Sequence, residues 1–253
     1  MTFASMGMSR ADGIPVSARA ALRLVPGFLL ICLVSLRGLC IAQEVDAPGA
    51  GGGSGSVFAP SGWLMLIAPV HHQIDLRLFG FYIGALDVPV AQADVAIRVT
   101  KFLTITPSYM YYSVPASGLN KLAPQPGGFT DGYAEHQLRL DGTLTFAIRR
   151  FEISVRNMYV RRFRPTPAED ISRYRGRIAI AHPLAVGGRS WKPFASYETY
   201  YERDAGWNRD RVWAGVTLPL MKRVLLQPSY LLEITNGLND VHYLLFGLIV
   251  SMH

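Results

Sequence analysis

Tyr133-Ala-Glu-His-Gln-Leu-Arg-Leu-Asp-Gly-Thr-Leu-Thr-Phe146 alternates between two kinds of residue. Leu138, Leu140, Leu144 and Phe146 fall on one side. Glu135, Gln137, Arg139, Asp141, Thr143 and Thr145 fall on the other. Side chains along a strand repeat every two residues, so the stretch predicts a strand with one oily and one charged face. The pattern recurs to Met252, which makes the chain all-β and predicts a closed antiparallel transmembrane β-barrel.

Working outward, the alternation predicts ten strands: 72–84, 91–100, 102–114, 133–147, 150–163, 172–183, 191–203, 208–219, 223–235 and 240–252. Short connections sit at Thr100-Lys101, Ile148-Arg149-Arg150 and Leu220-Met221-Lys222. Longer ones sit at 115–132, 164–171, 203–207 and 236–239. The longest holds Pro115, Pro124, Pro126, Gly127 and Gly128, which do not continue a ladder. Short turns on one side and long loops on the other match an outer-membrane barrel. Ten strands are favoured and would put both termini in the periplasm. Trp63 to Val70 is a possible further strand, but eleven would not close antiparallel in the usual bacterial way. Twelve is the alternative, and would need one strand more.

The 253 residues suffice for one sizeable domain, and 17% are charged against about 25% in an average soluble domain. No apolar run of about 20 residues follows position 40, which argues against a helical membrane protein. Residues 1–42 read as a secretory signal: Arg10, Arg19 and Arg23 lead, Leu24 to Leu36 form the apolar core, and Cys40-Ile41-Ala42 offers a cleavage site. Residues 43–61, with Gly51-Gly-Gly-Ser-Gly-Ser56, read as a flexible tether, and 62–253 as the barrel. Cys32 and Cys40 both lie in the signal, so the mature chain would carry neither disulfide nor cysteine zinc site. It would hold 21 basic and 17 acidic residues, a net charge of +4, which is not that of a nucleic-acid binder. The expected setting is a Gram-negative outer membrane, with outer-membrane lipid, lipopolysaccharide and the barrel-assembly machinery as partners.

Alternation alone does not distinguish inside from outside, and a soluble periplasmic barrel with its faces reversed is the competing reading. Strand length favours the membrane, since soluble strands mostly run about five or six residues and these run about 10–14. A cation facing mid-bilayer costs about 2–4 kcal/mol, so a ladder of ten or more charges belongs in the lumen. The predicted lumen ladder is Glu135, Arg139, Asp141, Glu152, Arg156, Arg162, Arg173, Arg175, Arg177, Glu198, Glu202, Arg211 and Glu233. Tyr109, Tyr111, Tyr112, Tyr133, Tyr159, Tyr174, Tyr200, Tyr201, Trp207 and Tyr230 fit the interfacial belts.

From about Trp63 onward the chain resembles the bacterial outer-membrane barrels catalogued as domain of unknown function 2490. The likeness rests on Glu135-His136-Gln137-Leu138, on Arg156 with Arg162-Phe163, and on Arg173-Tyr174-Arg175-Gly176-Arg177. Glu198 within Phe194-Ala-Ser-Tyr-Glu-Thr-Tyr200 and Asp210-Arg211-Val212-Trp213-Ala214-Gly215 complete it. Gln137, Met158, Val160 and Asp210 depart from the family pattern. The resemblance implies an outer-membrane barrel and brings no activity, substrate or catalytic residue. Leu244, Phe246, Leu248 and Val250 carry the hydrophobic register toward the C-terminus, where such barrels commonly end in an aromatic; His253 stands last here.

Three functions are compatible with such a lumen. A structural, closed barrel would hold its charges in buried ion pairs. A narrow, porin-like, anion-preferring channel would line its path with Arg156, Arg162, Arg173, Arg175, Arg177 and Arg211. A lipid hydrolase or acyltransferase would need a serine near an oriented histidine, for which His136 with Ser154 or Ser196 are the candidates. Glu135 neighbours His136 but points to the opposite face, and no Gly-x-Ser-x-Gly stretch occurs. Residues 51–56 lack the Gly-Lys-Ser/Thr of a phosphate loop, the adjacent His71-His72 diverge in a strand, and no cofactor is implied. Arg161, Arg162 and Arg164, at a strand end, are a candidate cluster for lipopolysaccharide phosphates.

Overall fold

The computed structural model describes residues 56–122, 130–164, 170–203 and 205–252. The predicted signal and residues 43–55 of the predicted tether lie outside the described residues. Eleven long strands close into one barrel: β1 (Ser56–His71), β2 (Ile74–Ile83), β3 (Val88–Arg98), β4 (Leu103–Val114), β5 (Tyr133–Ile148), β6 (Phe151–Phe163), β7 (Ile171–Ala181), β9 (Arg189–Glu202), β10 (Gly206–Met221), β11 (Val224–Thr235) and β12 (Asp240–Ser251). The three-residue β8 (Leu184–Val186) folds back on the start of β9, outside the barrel wall. A seven-residue helix, α1 (Ala116–Leu122), occupies part of the long 115–132 connection.

Neither ten nor twelve is therefore the strand number of the wall. The eleventh strand is β1, which starts at Ser56, inside the stretch read as tether, and runs 16 residues. Its period is hard to read because Pro60, Gly62 and Pro69 interrupt it and Leu64 to Ile67 are apolar on both faces. An odd count has a geometric consequence. If every sequential pair is antiparallel, the first and last strands must run the same way, and β1 and β12 pair in parallel from Ser56↔Asp240 to Ile67↔Ser251. Ser56 thus lies at the long-loop end and Ser251 at the short-turn end, not together as a ten-strand barrel would have them.

The alternation is realised with the charged face inward. Glu135 is 0% exposed, while Leu140, five residues on, is 55% exposed. Leu138, Leu144, Ile178, Val212 and Phe246 share the outer surface, and the reversed-face barrel is excluded. Long strands of 10–16 residues, about twice the globular norm, carry this apolar belt.

Inside, the lumen has two unlike halves. From β11 through β12, β1 and β2 to β4, apolar side chains fill it: Trp63, Val241, Tyr243 and Leu245 form one cluster, and Leu86, Val88, Val90 and Val114 another. Helix α1 lays Leu119 and Leu122 on these clusters at the long-loop end. Asn239 of the β11–β12 loop donates to the Leu122 carbonyl from its backbone at 3.2 Å and to the Lys121 carbonyl from its side chain at 3.1 Å. The helix thereby straps that half of the mouth. It sits so close that a Cβ at Gly118 would stand 2.4 Å from the Leu86 carbonyl oxygen. Gly118→Ala is expected to lift α1 from the mouth, read as faster tryptic cleavage after Lys121 in the folded barrel. Unchanged cleavage would show that the helix docks without that close approach.

Candidate functional site

The other half of the lumen, from β5 to β11, is built from the charged faces of consecutive strands. Period two fixes which residues enter it; the register fixes which of them meet. Near the long-loop end, Arg162 on β6 lies beside Glu135 on β5 and donates through Nε and Nη2 to its two oxygens, at 2.6 Å each. Its Nη1 reaches Glu202 on β9 at 3.1 Å, and Arg173 Nε donates to the same carboxylate at 2.6 Å. Gln137 donates to Glu135 at 2.6 Å and Asn208 to Glu202 at 3.0 Å, so both carboxylates are saturated.

A second cluster lies deeper. Glu198 receives Arg156 and, at 2.8 Å, Arg175, with Arg211 Nη1 at 3.9 Å. Arg156 also faces Asp141 at 3.5 Å. Arg211 pairs chiefly with Glu233, which Arg209 approaches at 3.4 Å. At the centre stands Tyr200, 1% exposed, whose hydroxyl donates to Glu198 at 2.9 Å. The guanidiniums of Arg173, Arg175, Arg209 and Arg211 surround its ring at 4.6–5.5 Å, attracted to the negative face of the π system.

Two ladder members stand apart. Arg139 donates to the Gln92 side-chain oxygen at 2.6 Å, among the sulfurs of Met110 and Met158. Arg177 makes no ion pair or hydrogen bond among the described residues, and its Nε is sealed from solvent. Glu152 pairs with Lys192 at 2.8 Å near the short turns, where both are half exposed. Thus all thirteen ladder residues lie on the inner face, but in separate groups.

Three belt assignments are corrected. Tyr112, Tyr133 and Tyr200 share the parity of inward residues: Arg162 donates to the Tyr112 hydroxyl at 3.3 Å, Tyr133 packs edge-on against Tyr112, and Tyr200 is the hub just described. Tyr109, Tyr111, Tyr159, Tyr174, Tyr201, Trp207 and Tyr230 are exposed. Arg209, Gln92 and Tyr200 are among the network members outside the predicted ladder, and each shares parity with its charged neighbours.

The candidate catalytic groups do not converge. His136 is exposed on the outer face with its Nδ1 on the Tyr109 hydroxyl, while Ser154 and Ser196 lie on the inner face. The arginine cluster also divides. Arg162 turns inward, whereas Arg161 stays exposed and contacts Ser172 at 3.1 Å and Asp170 at 3.4 Å.

A family model described as "Protein of unknown function (DUF2490)" matches residues 70–243. No curated protein matches the chain. Among solved structures, the chain is similar to the β domain of the Bordetella autotransporter BrkA, at 16% identity, covering 69% of this chain and 82% of that one, with a TM-score of 0.41. It is similar to LpxR from Salmonella typhimurium at 8% identity, over 71% and 84% of the two chains, with a TM-score of 0.45. The anion-selective porin from Comamonas acidovorans shows 14% identity over 74% of this chain and 54% of that one, with a TM-score of 0.36.

Proposed function

The chain belongs to the DUF2490 family, and we propose that it is an integral outer-membrane β-barrel whose lumen is closed by its own side chains. Two physical features support the membrane placement. A soluble protein does not leave a continuous belt of Leu, Ile and Phe in water, and a closed sheet satisfies every strand's backbone groups within lipid. The exposed tyrosines at strand ends suit the headgroup boundary.

The observation that carries the closed reading is the meeting of the two halves of the lumen. Glu135, Val160, Tyr200 and Val241 come from β5, β6, β9 and β12, and all are at most 2% exposed. Trp213 on β10 also packs against the cluster around Trp63 on β1, so the ion-paired side adjoins the apolar side, with α1 over the apolar half. The role is that of a structural barrel and not of a pore. The channel reading draws on one observation, that Arg139 and Arg177 have no carboxylate partner among the described residues. Refolded protein in a planar bilayer is expected to be electrically silent while showing the heat-shifted gel mobility of a folded barrel. Stable anion-selective steps would replace the closed barrel with the channel, with Arg177 in its path.

A further inference from the structure

The short-turn end of the lumen contains a cavity of about 260 Å³, lined by Arg177, Lys192, Phe194, Trp213, Thr217 and Gln227 among others. It lies on the opposite side of the Glu198 cluster from α1, so it opens away from the strapped mouth. Its donors and acceptors are out of balance. Arg177 Nε and Trp213 Nε1, on two residues of its lining, are buried without a hydrogen-bond partner among the described residues. With Arg177 and Trp213 both in its wall, the cavity suits a ligand group that accepts a hydrogen bond.

Charge narrows the ligand. The Lys192 ammonium is already neutralised by Glu152, at 2.8 and 2.9 Å from its two oxygens. Arg156 and Arg175 are already paired with Glu198. Among the described residues that line the cavity one cation is left over, Arg177, whose single charge balances a monocarboxylate but only half of a dianionic phosphate, and whose planar fork takes a carboxylate in bidentate fashion. The rest of the lining sets Phe194 and Trp213 among Ser154, Ser196, Thr217 and Gln227. Phe194 and Trp213 stand edge to face at 5.4 Å and 89°, beside Ala179. We propose that the juxtaposition of Arg177 with the Phe194–Trp213 pair makes this cavity a binding site for a small monocarboxylate with a ring-sized apolar body. The carboxylate takes the Arg177 guanidinium and the apolar body lies along Phe194 and Trp213.

The test uses the full barrel in a neutral detergent, with benzoate as probe and with benzamide and inorganic phosphate as comparisons. Calorimetric titration is expected to show saturable benzoate binding, weaker binding of both comparisons, and loss of roughly tenfold or more in benzoate affinity in Arg177→Gln, as expected for removal of a charged hydrogen-bond partner. In the unsubstituted protein the Trp213 indole N–H resonance, assigned with Trp213→Phe, is expected to shift on titration. That measurement does not depend on whether Arg177→Gln folds. Absence of benzoate binding, an unmoved Trp213 indole, or undiminished affinity in a folded Arg177→Gln barrel would overturn the site. Equal binding of benzamide, or tighter binding of phosphate, would overturn the carboxylate assignment. None of these readouts depends on conductance, so the closed-lumen reading and this site fail separately.

Discussion

Replacing Glu198 with glutamine is expected to lower the stability of the folded barrel by about 3–5 kcal/mol, the usual cost of removing one partner from a buried ion cluster. Glu198 is buried and receives Arg156, Arg175 and the Tyr200 hydroxyl, with Arg211 at 3.9 Å. The amide would keep the shape and withdraw the charge. Asp141 and Glu233 are then the remaining anions for three largely buried guanidiniums. The control is Glu152→Gln. Its pair with Lys192 is half exposed, so its loss is expected to cost about 0–1 kcal/mol. Urea midpoints, scored by heat-shifted gel mobility, separate the two. Equal midpoints for the two variants would mean that the lumen is held by packing alone.

A substitution of one methyl group at the seam is expected to be nearly as damaging. Gly247 on β12 lies opposite Trp63 on β1, and a Cβ there would stand 2.0 Å from the indole. Trp63 has no space to retreat, because it is buried in the apolar half against Phe79, at 5.6 Å between ring centres. Overpacking a core commonly costs roughly 1–3 kcal/mol, and Gly247→Ala is expected at the upper end or beyond. Trp63→Ala alone should cost about 3–5 kcal/mol through the cavity it leaves. Because the alanine would occupy part of that cavity, the double variant should be less unstable than the sum of the two, a positive coupling that a double-mutant cycle measures. A Gly247→Ala barrel as stable as the parent would contradict the β1–β12 register and, with it, the eleven-strand closure.

Much of the inner wall was legible because parity is local. Arg173, Arg175 and Arg177 follow one another at a spacing of two, and none can point outward without the others. The same rule applies to Tyr200, which shares parity with Glu198 and Glu202. Residue type does not place it, because tyrosine, with an apolar ring and a polar tip, suits an interface as well as a charged interior. Tyr201, one residue on, occupies the outer surface instead. Helix α1 left no comparable trace: seven residues between Pro115 and Pro124 are too few for a 3.6-residue period to show.

The sequence by itself determined the material of the wall: strands, their two faces, and a charge pattern that belongs inside because lipid penalises it. The tertiary structure decided the number of strands, the parallel seam, the opposite placement of Ser56 and Ser251, and the partners of each arginine. Glu198 and Arg156 are 42 residues apart, and Trp63 and Gly247 lie on the first and last strands of the wall. Alternation is set by neighbouring residues along one strand. Closure and pairing are set by register between strands distant in sequence and by the space their side chains must share, and no single strand carries that information.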